Sequence, residues 1–252
     1  MIPAYVHELA LRYGWPVTAA ELPMTIGHRG ASGHKRENTL AAFQLAADMG
    51  ARMWELDTQL TADGICVVSH DDHLQRVFGQ DLHISKLSFS ELRAVVPDVP
   101  SFAEVAALAR ETHCGLYVEL KAAGTGQLVW QELLANEQRF ACLGSFDVAQ
   151  VRELRDSGCD YPLSVLVRVG HDPHALADRA GADIIHLCWE NAGPRPQDLV
   201  DAALIARARS AGRGIVLWHE ERPDIIADIV MLPVLGICTD LPDLFQNQAK
   251  AS

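Results

Sequence analysis

At 252 residues, with 49% hydrophobic, 21% charged and 6% aromatic residues, the chain has the make-up of one large folded domain, which excludes a disordered or fibrous protein. A formal charge of −12 argues against nucleic acid or anionic lipid as a partner, since both are bound by clustered Lys and Arg that release counterions. No apolar run approaches the roughly 20 residues that span a bilayer, and His7, Glu8 and Arg12 interrupt the start where a leader needs an apolar stretch, so a cytoplasmic protein with no transmembrane segment is expected.

Residues 1–23 have an apolar, helix-compatible texture and form an N-terminal extension. From Met24 onward, short apolar runs alternate with segments of helical period, the pattern of a parallel sheet with crossover helices. The predicted strands are MTIGH, MWELDTQL, ICVVSH, GLYVEL, FACLGSF, LSVLVR, DIIHLCW, GIVLWH and LGICTD. Between them, Ser101 with Glu104 reads as a capping box, Asp147 caps the helix that stops near Gly158, and Asp172 precedes Pro173. Gly50, Gly181 and Gly212 stand where helices end.

Nine strands are one too many for a (β/α)8 barrel. MWELDTQL and ICVVSH, however, are joined only by Thr61, Ala62, Asp63 and Gly64, and a parallel crossover needs about a dozen residues. These two runs therefore form an antiparallel hairpin. Without its returning arm eight parallel strands remain, which predicts an α/β fold: a (β/α)8 TIM barrel over residues 24–245, with a β-hairpin extension after strand 2 and an N-terminal helical segment packed over the bottom, all one domain over 1–252. The six cysteines lack CxxC spacing and are expected to be reduced and buried rather than to bind zinc.

Barrel enzymes carry their chemistry at the C-terminal ends of strands. His28, Arg29 and Gly30 end the first strand there. Glu55 and Asp57 lie two apart on the second, hence on one side, and Glu119 and Lys121 repeat that spacing on the next parallel strand. If Asp63 and Gly64 form a two-residue type I′ loop, cross-strand partners sum to about 127, and His70 stands opposite Asp57. The cluster then holds two histidines, three carboxylates, an arginine and a lysine. Three adjacent carboxylates call for a hard divalent cation, with oxygen ligands favouring Mg2+ or Ca2+. Arg29 and Lys121 suit a phosphate, and the histidines suit proton transfer near neutral pH. Metal-assisted phosphodiester cleavage fits this set.

The motifs IGHRGASGHKRENTLAAF, WELDTQLTADGICVVSHDDHLQR, YVELK and GICTDLPD resemble the successive motifs of glycerophosphodiester phosphodiesterases over most of Met24 to Asp243. The resemblance implies metal binding by Glu55, Asp57 and Glu119, an acid–base pair in His28 and His70, phosphate binding by Arg29 assisted by Lys121, and support from Glu37 and Asn38. It implies hydrolysis of a small glycerophosphodiester to glycerol phosphate and an alcohol with one bound Mg2+ or Ca2+. It leaves open which histidine is acid and which base, and whether water or a substrate hydroxyl attacks. Arg36, Arg76-Val77-Phe78 and Leu217-Trp218-His219-Glu220 depart from the family pattern, and residues between His70 and Glu119 form a short insertion. The alternatives are a related phosphodiesterase for lysophospholipids or sugar phosphodiesters, a non-catalytic phosphate-binding barrel, and a metal-dependent barrel for carbonyl chemistry. Two histidines beside an arginine fit phosphate better than a carbonyl. His186 is expected to pack against the barrel wall, His219 and Glu220 could line the pocket, and the glycines of the first motif serve backbone turning rather than a nucleotide.

Overall fold

Buried on both faces, parallel strands read as near-continuous apolar runs, and the computed structural model, which describes residues 2–246, forms a strand at each of the nine expected places. They are β1 Met24–His28, β2 Met53–Leu60, β3 Cys66–Val68, β4 Gly115–Leu120, β5 Ala141–Ser145, β6 Leu163–Arg168, β7 Ile184–Cys188, β8 Gly214–His219 and β9 Gly236–Thr239. β1 pairs in parallel with both β2 and β9, so the sheet closes on itself as an eight-stranded parallel barrel, with β3 appended antiparallel to β2. Helices run between the strands. The capping box of Ser101 and Glu104 starts one, Asp147 and Asp172 cap two others, and Gly181 closes the helix Pro173–Ala180 in the left-handed region.

The core divides into layers. Trp54, Leu56, Phe102, Val118 and Leu217 belong to the apolar layer between the strands and their helices. A second cluster fills the barrel from below: Met24, Ile26, Met53 and Tyr117 meet Val6, Leu9, Trp15 and Leu22 of the N-terminal extension. The Trp15 indole N–H donates to the Ala141 carbonyl at 3.3 Å and the Tyr13 hydroxyl to that of Asp183 at 2.8 Å, which anchors the extension under β5 and β7. This floor leaves only the opposite end of the barrel open for chemistry. A small satellite cluster of Val67, Leu74, Ile84, Leu92, Val96 and Val99 gives the insertion after β3 its own packing.

The hairpin register differs from the expected one. Thr58 pairs with Val68, Gln59 with Val67 and Leu60 with Cys66, so partners sum to 126 rather than 127. The loop holds three residues, Ala62, Asp63 and Gly64, with Gly64 alone at positive φ (+79°) and its N–H donating to Thr61 O. A type I turn followed by a left-handed glycine is the three-residue hairpin form, and Asp63 does not adopt the positive φ that a type I′ loop requires. Ser69, not His70, therefore lies opposite Asp57, its N–H donating to the Asp57 carbonyl at 2.9 Å. His70 reaches the barrel mouth because β3 ends at Val68, and the Gln59 side chain grips the His70 carbonyl at 2.9 Å.

Candidate active site

A cleft of about 190 Å³ at the C-terminal ends of the strands is lined by His28, Arg29, Glu55, His70, Glu119 and Lys121. Glu55 and Asp57 alternate inward on β2, and Glu119 occupies the register position beside Asp57 on β4. Each of the three carboxylates offers an oxygen within 4.8 Å of the others, the one such acidic or His/Cys grouping among the described residues. All three are buried. Burial and the Asp57 charge push the Glu55 carboxyl well above its usual range against the pull of Arg29, and burial and Asp57 likewise raise Glu119 to about 7 despite Lys121. Burial also works against the Asp57 charge, but Arg29, His70, Lys121 and the Asn38 amide outweigh it and hold the acid below its usual range.

Those basic groups are close. Arg29 Nε lies 3.3 Å from Asp57 Oδ2, and Lys121 Nζ lies 2.9 Å from Glu119 Oε1 and 3.6 Å from Asp57 Oδ1. Even so, Asp57 Oδ1 is buried without a hydrogen-bond donor. A buried carboxylate oxygen lacking a donor, beside two acids that hold their protons too tightly, is the donor set and charge deficit that a hard divalent cation satisfies. Glu55, Asp57 and Glu119 thus fit such an ion.

The loop after β1 supports this set through unusual backbone. Arg29 and Asn38 both have φ of +56°, rare for side-chain-bearing residues. The Arg29 N–H consequently reaches the Glu55 carboxylate at 3.1 Å and its side chain reaches Glu37 Oε1 at 3.0 Å, while the Asn38 amide donates to Asp57 Oδ2 at 2.9 Å. Gly30 cannot be replaced cheaply: its φ is +85°, and a Cβ would stand 2.7 Å from the Ala42 carbonyl carbon. Glu37 and Asn38 are thus in contact with the cluster.

Each histidine has its own carboxylate. His28 Nδ1 donates to Asp240 Oδ1 at 2.7 Å; a carboxylate can only accept, so the Nε2 lone pair faces Glu55, 3.8 Å away. Burial depresses the His28 pKa, and Arg29 and His219 add to this against the opposing Asp240. Ser32 Oγ also donates to Asp240; burial works against that carboxylate, but His28, Ser32 and His219 together outweigh it and bring the acid down to about 2. His70 Nδ1 donates to Asp71 Oδ1 at 2.6 Å, and its Nε2 accepts from Lys121 at 3.1 Å. Arg76 fixes this arrangement, donating to Asp71 and, through two nitrogens, to Glu37.

Asp240, Asp71, Ser32 and Arg76 were absent from the expected site. Asp240 follows the last strand directly, where the strand-end rule points, and Asp71 adjoins His70; both signals were present in the chain. His219 also belongs: its ring stacks on His28 at 4.6 Å with the planes 2° apart. A β-bulge between Leu217 and His219 breaks the alternation of β8 and delivers it there. Glu220 does not line the cleft; it is buried against the Trp218 indole N–H and Arg222. His186 lies inside the barrel rather than against its wall, on the floor of the cleft, with its ring edge to Tyr117 and its pKa driven to about 3 by burial and by His28 and His219. All six cysteines are free; Cys66 and Cys188 are only half-buried.

Comparison with known proteins supplies the wider context. Residues 28–244 match the sequence profile of the glycerophosphoryl diester phosphodiesterase family. The Bacillus subtilis protein YhdW, named as a candidate glycerophosphodiester phosphodiesterase, is 28% identical over 244 residues, covering 89% of this chain and 97% of its own. Human lysophospholipase D GDPD1 is 49% identical over 67 residues, which are 27% of this chain and 21% of that protein. Among solved structures, an Oleispira antarctica phosphodiesterase in complex with its product sn-glycerol-3-phosphate superposes with a TM-score of 0.75 at 22% identity, covering 92% of this chain and 98% of its own.

Proposed function

The chain belongs to the glycerophosphoryl diester phosphodiesterase family, and on that premise we propose that it hydrolyses glycerophosphodiesters to glycerol phosphate and an alcohol by acid–base catalysis between His28 and His70 beside a divalent cation, Mg2+ or Ca2+, held by Glu55, Asp57 and Glu119. The observation that carries this reading is the convergence of two carboxylate-backed histidines and three buried acids in one cleft. Sn-glycerol-3-phosphate as the product bound by the Oleispira protein supports the substrate class.

His28 takes the proton. Burial and the neighbouring Arg29 and His219 keep its ring neutral, Asp240 holds Nδ1–H, and Nε2 presents a lone pair to the cleft. The proton comes from the entering oxygen, whether that of water or of a glycerol hydroxyl. His70, 30% exposed and with its Nδ1–H on the Asp71 carboxylate at 2.6 Å, gives a proton from Nε2 to the alcohol oxygen as the phosphorus–oxygen bond breaks; Lys121, which meets that nitrogen here, turns to the phosphate when the ring takes up this proton. Charge stabilisation at the phosphate oxygens is the chemistry that a bound cation supplies. Arg29 and Lys121, which balance the acids here, are then available to the phosphate.

The six free cysteines favour a reducing, cytoplasmic setting, and among the described residues no helix is long and apolar enough to cross a membrane. The 49% identical stretch shared with a lysophospholipase D favours lysophospholipid as a second substrate to test. Turnover of glycerophosphocholine, glycerophosphoethanolamine and lysophosphatidylcholine, with added Mg2+ or Ca2+ and then with EDTA, decides the matter. Cation-dependent release of the head group from the glycerophosphodiesters is expected; release that survives EDTA, or none with either ion, overturns the reading.

A further inference from the structure

The cleft does not end at the reacting groups. Two of its walls, Phe146 and Leu166, also wall a second hollow of about 630 Å³ above the C-terminal ends of β5 and β6. With about 190 Å³, the inner cleft is smaller than the roughly 300 Å³ at which small-molecule sites begin, so a diester seated there must extend one arm outward. The shared walls Phe146 and Leu166 place the hollow beside the cleft.

Its lining reverses the charge of the protein. The chain carries 21 Lys and Arg against 33 Asp and Glu, yet Arg152, Arg168, Arg179 and His171 surround this one hollow. The single carboxylate among the lining residues, Asp147, is tied to the start of the helix Val148–Asp156 and accepts from Ala149 N–H at 2.8 Å. Arg152 is paired with Asp156 at 2.8 Å. The carboxylates next along the chain, Asp172 and Asp178, pair with Arg207 and Arg213, which leaves Arg168 and Arg179 without a carboxylate partner among the described residues. Arg168 instead lies over the Phe146 ring, 4.0 Å from its centroid. Stacking on an aromatic face fixes the plane of a guanidinium while leaving its N–H edge free for a planar or tetrahedral oxyanion.

We infer that this annex selects the alcohol half of the substrate, and that the preferred glycerophosphodiesters are those whose alcohol carries its own oxyanion, a second phosphate or a carboxylate, held by Arg168 and Arg179. The inference rests on the phosphodiesterase reading above. An uncharged polyol gains nothing from two unpaired guanidiniums, a quaternary ammonium is repelled by them, and an acyl chain would bury them without partners.

The test compares kcat/KM of the full chain with Mg2+ or Ca2+ for bis(glycerophospho)glycerol, glycerophosphoserine, glycerophosphoglycerol and glycerophosphocholine, at low and at high NaCl. A preference of about tenfold for one or both oxyanion-bearing substrates over the last two is expected, shrinking in high salt because the arginines are exposed. Which of the first two leads identifies the oxyanion. Arg168→Gln and Arg179→Gln each lower the ratio of turnover of the oxyanion-bearing substrates to that of the other two, and Arg168→Lys restores part of it. Equal kcat/KM across the four, or a preference that salt and both Gln variants leave intact, overturns the annex while leaving the phosphodiesterase reading standing. Failure to hydrolyse any of them overturns both. The salt series needs no variant, so a misfolded Arg168→Gln does not remove the test.

Discussion

Asp240 stands 212 positions after His28 in the chain and accepts the Nδ1–H of that imidazole at 2.7 Å. Barrel closure between β1 and β9 is what brings the two together, with Thr25 paired to Ile237 and Gly27 to Thr239. The consequence is chemical: one ring nitrogen is fixed as donor, so the lone pair sits on Nε2, the atom that takes the proton in the proposed mechanism.

Asp240→Asn should therefore lower kcat by about a hundredfold, since positioned acid–base groups contribute at least that much. It should also move the acidic limb of the kcat/KM profile. Asp240 raises the His28 pKa, so its neutral replacement lowers that pKa further, and the unprotonated base persists to lower pH. The limb shifts to lower pH. A limb that moves up, or stays in place while kcat is unchanged, would show that Asp240 does not act through His28.

Gly30→Ala tests the strained loop that carries Arg29 and Asn38. The new methyl group meets the Ala42 backbone at 2.7 to 2.8 Å in a region of φ that alanine avoids. Because backbone rather than a flexible side chain opposes it, the cost should be about 2–4 kcal/mol in denaturant unfolding. Activity should fall as well, since Asn38 N–H donates to the Arg29 carbonyl and its side chain to Asp57. A variant as stable and active as the native chain would refute this account of the loop.

Trp15→Ala addresses the floor of the barrel, where the indole is 1% exposed and packs against Phe140 with ring centroids 5.9 Å apart. Loss of so large a buried ring should cost about 3–5 kcal/mol. The floor lies at the opposite end from the cleft, so kcat measured well below the unfolding temperature should change little. A large loss of kcat in protein that is still folded would contradict the separation of stability at one end from chemistry at the other.

How far the sequence revealed this arrangement depended on the range of the interactions involved. Strand positions and the capping residues Ser101, Asp147 and Asp172 are local properties, and they appeared where apolar runs and cap chemistry placed them. The convergence of Glu55, Asp57 and Glu119 followed from alternation on adjacent strands. The hairpin register was off by one because an Asp-Gly pair serves both two- and three-residue loops, and only the backbone angle of Asp63 separates them. His219 needed a bulge that no residue pattern announces, and the partnership of Asp240 with His28 needed closure of the barrel. The arginine annex was hidden for another reason. Arg168 and Arg179 lie 11 apart, on a strand end and a helix, and nothing in their spacing shows that they face one hollow.

The metal proposal makes its sharpest prediction in the pH dependence of stability. Burial and Asp57 raise Glu119 from 4.5 to about 7, and Glu55 is raised as well. The folded protein thus holds these protons more tightly than the unfolded chain does. The Glu119 contribution is complete below the unfolded value near 4.5 and is lost as pH rises through about 7, and that of Glu55 is lost in the same direction. Cation-free protein should accordingly lose more melting temperature, or gain less, from pH 5 to pH 8 than its Glu119→Gln variant does, since the depressed pKa values of buried His28 and His186, which act in the opposite sense over that range, are common to both. Mg2+ or Ca2+ should oppose the loss, because binding requires the ionised acids; apparent affinity should climb as pH rises through about 7, where Glu119 ionises. Glu119→Gln should weaken cation binding as well. Thermal melts at both pH values, with and without the ion, check each arm, and a Glu119→Gln variant that retains full cation stabilisation at pH 8 would remove Glu119 from the site.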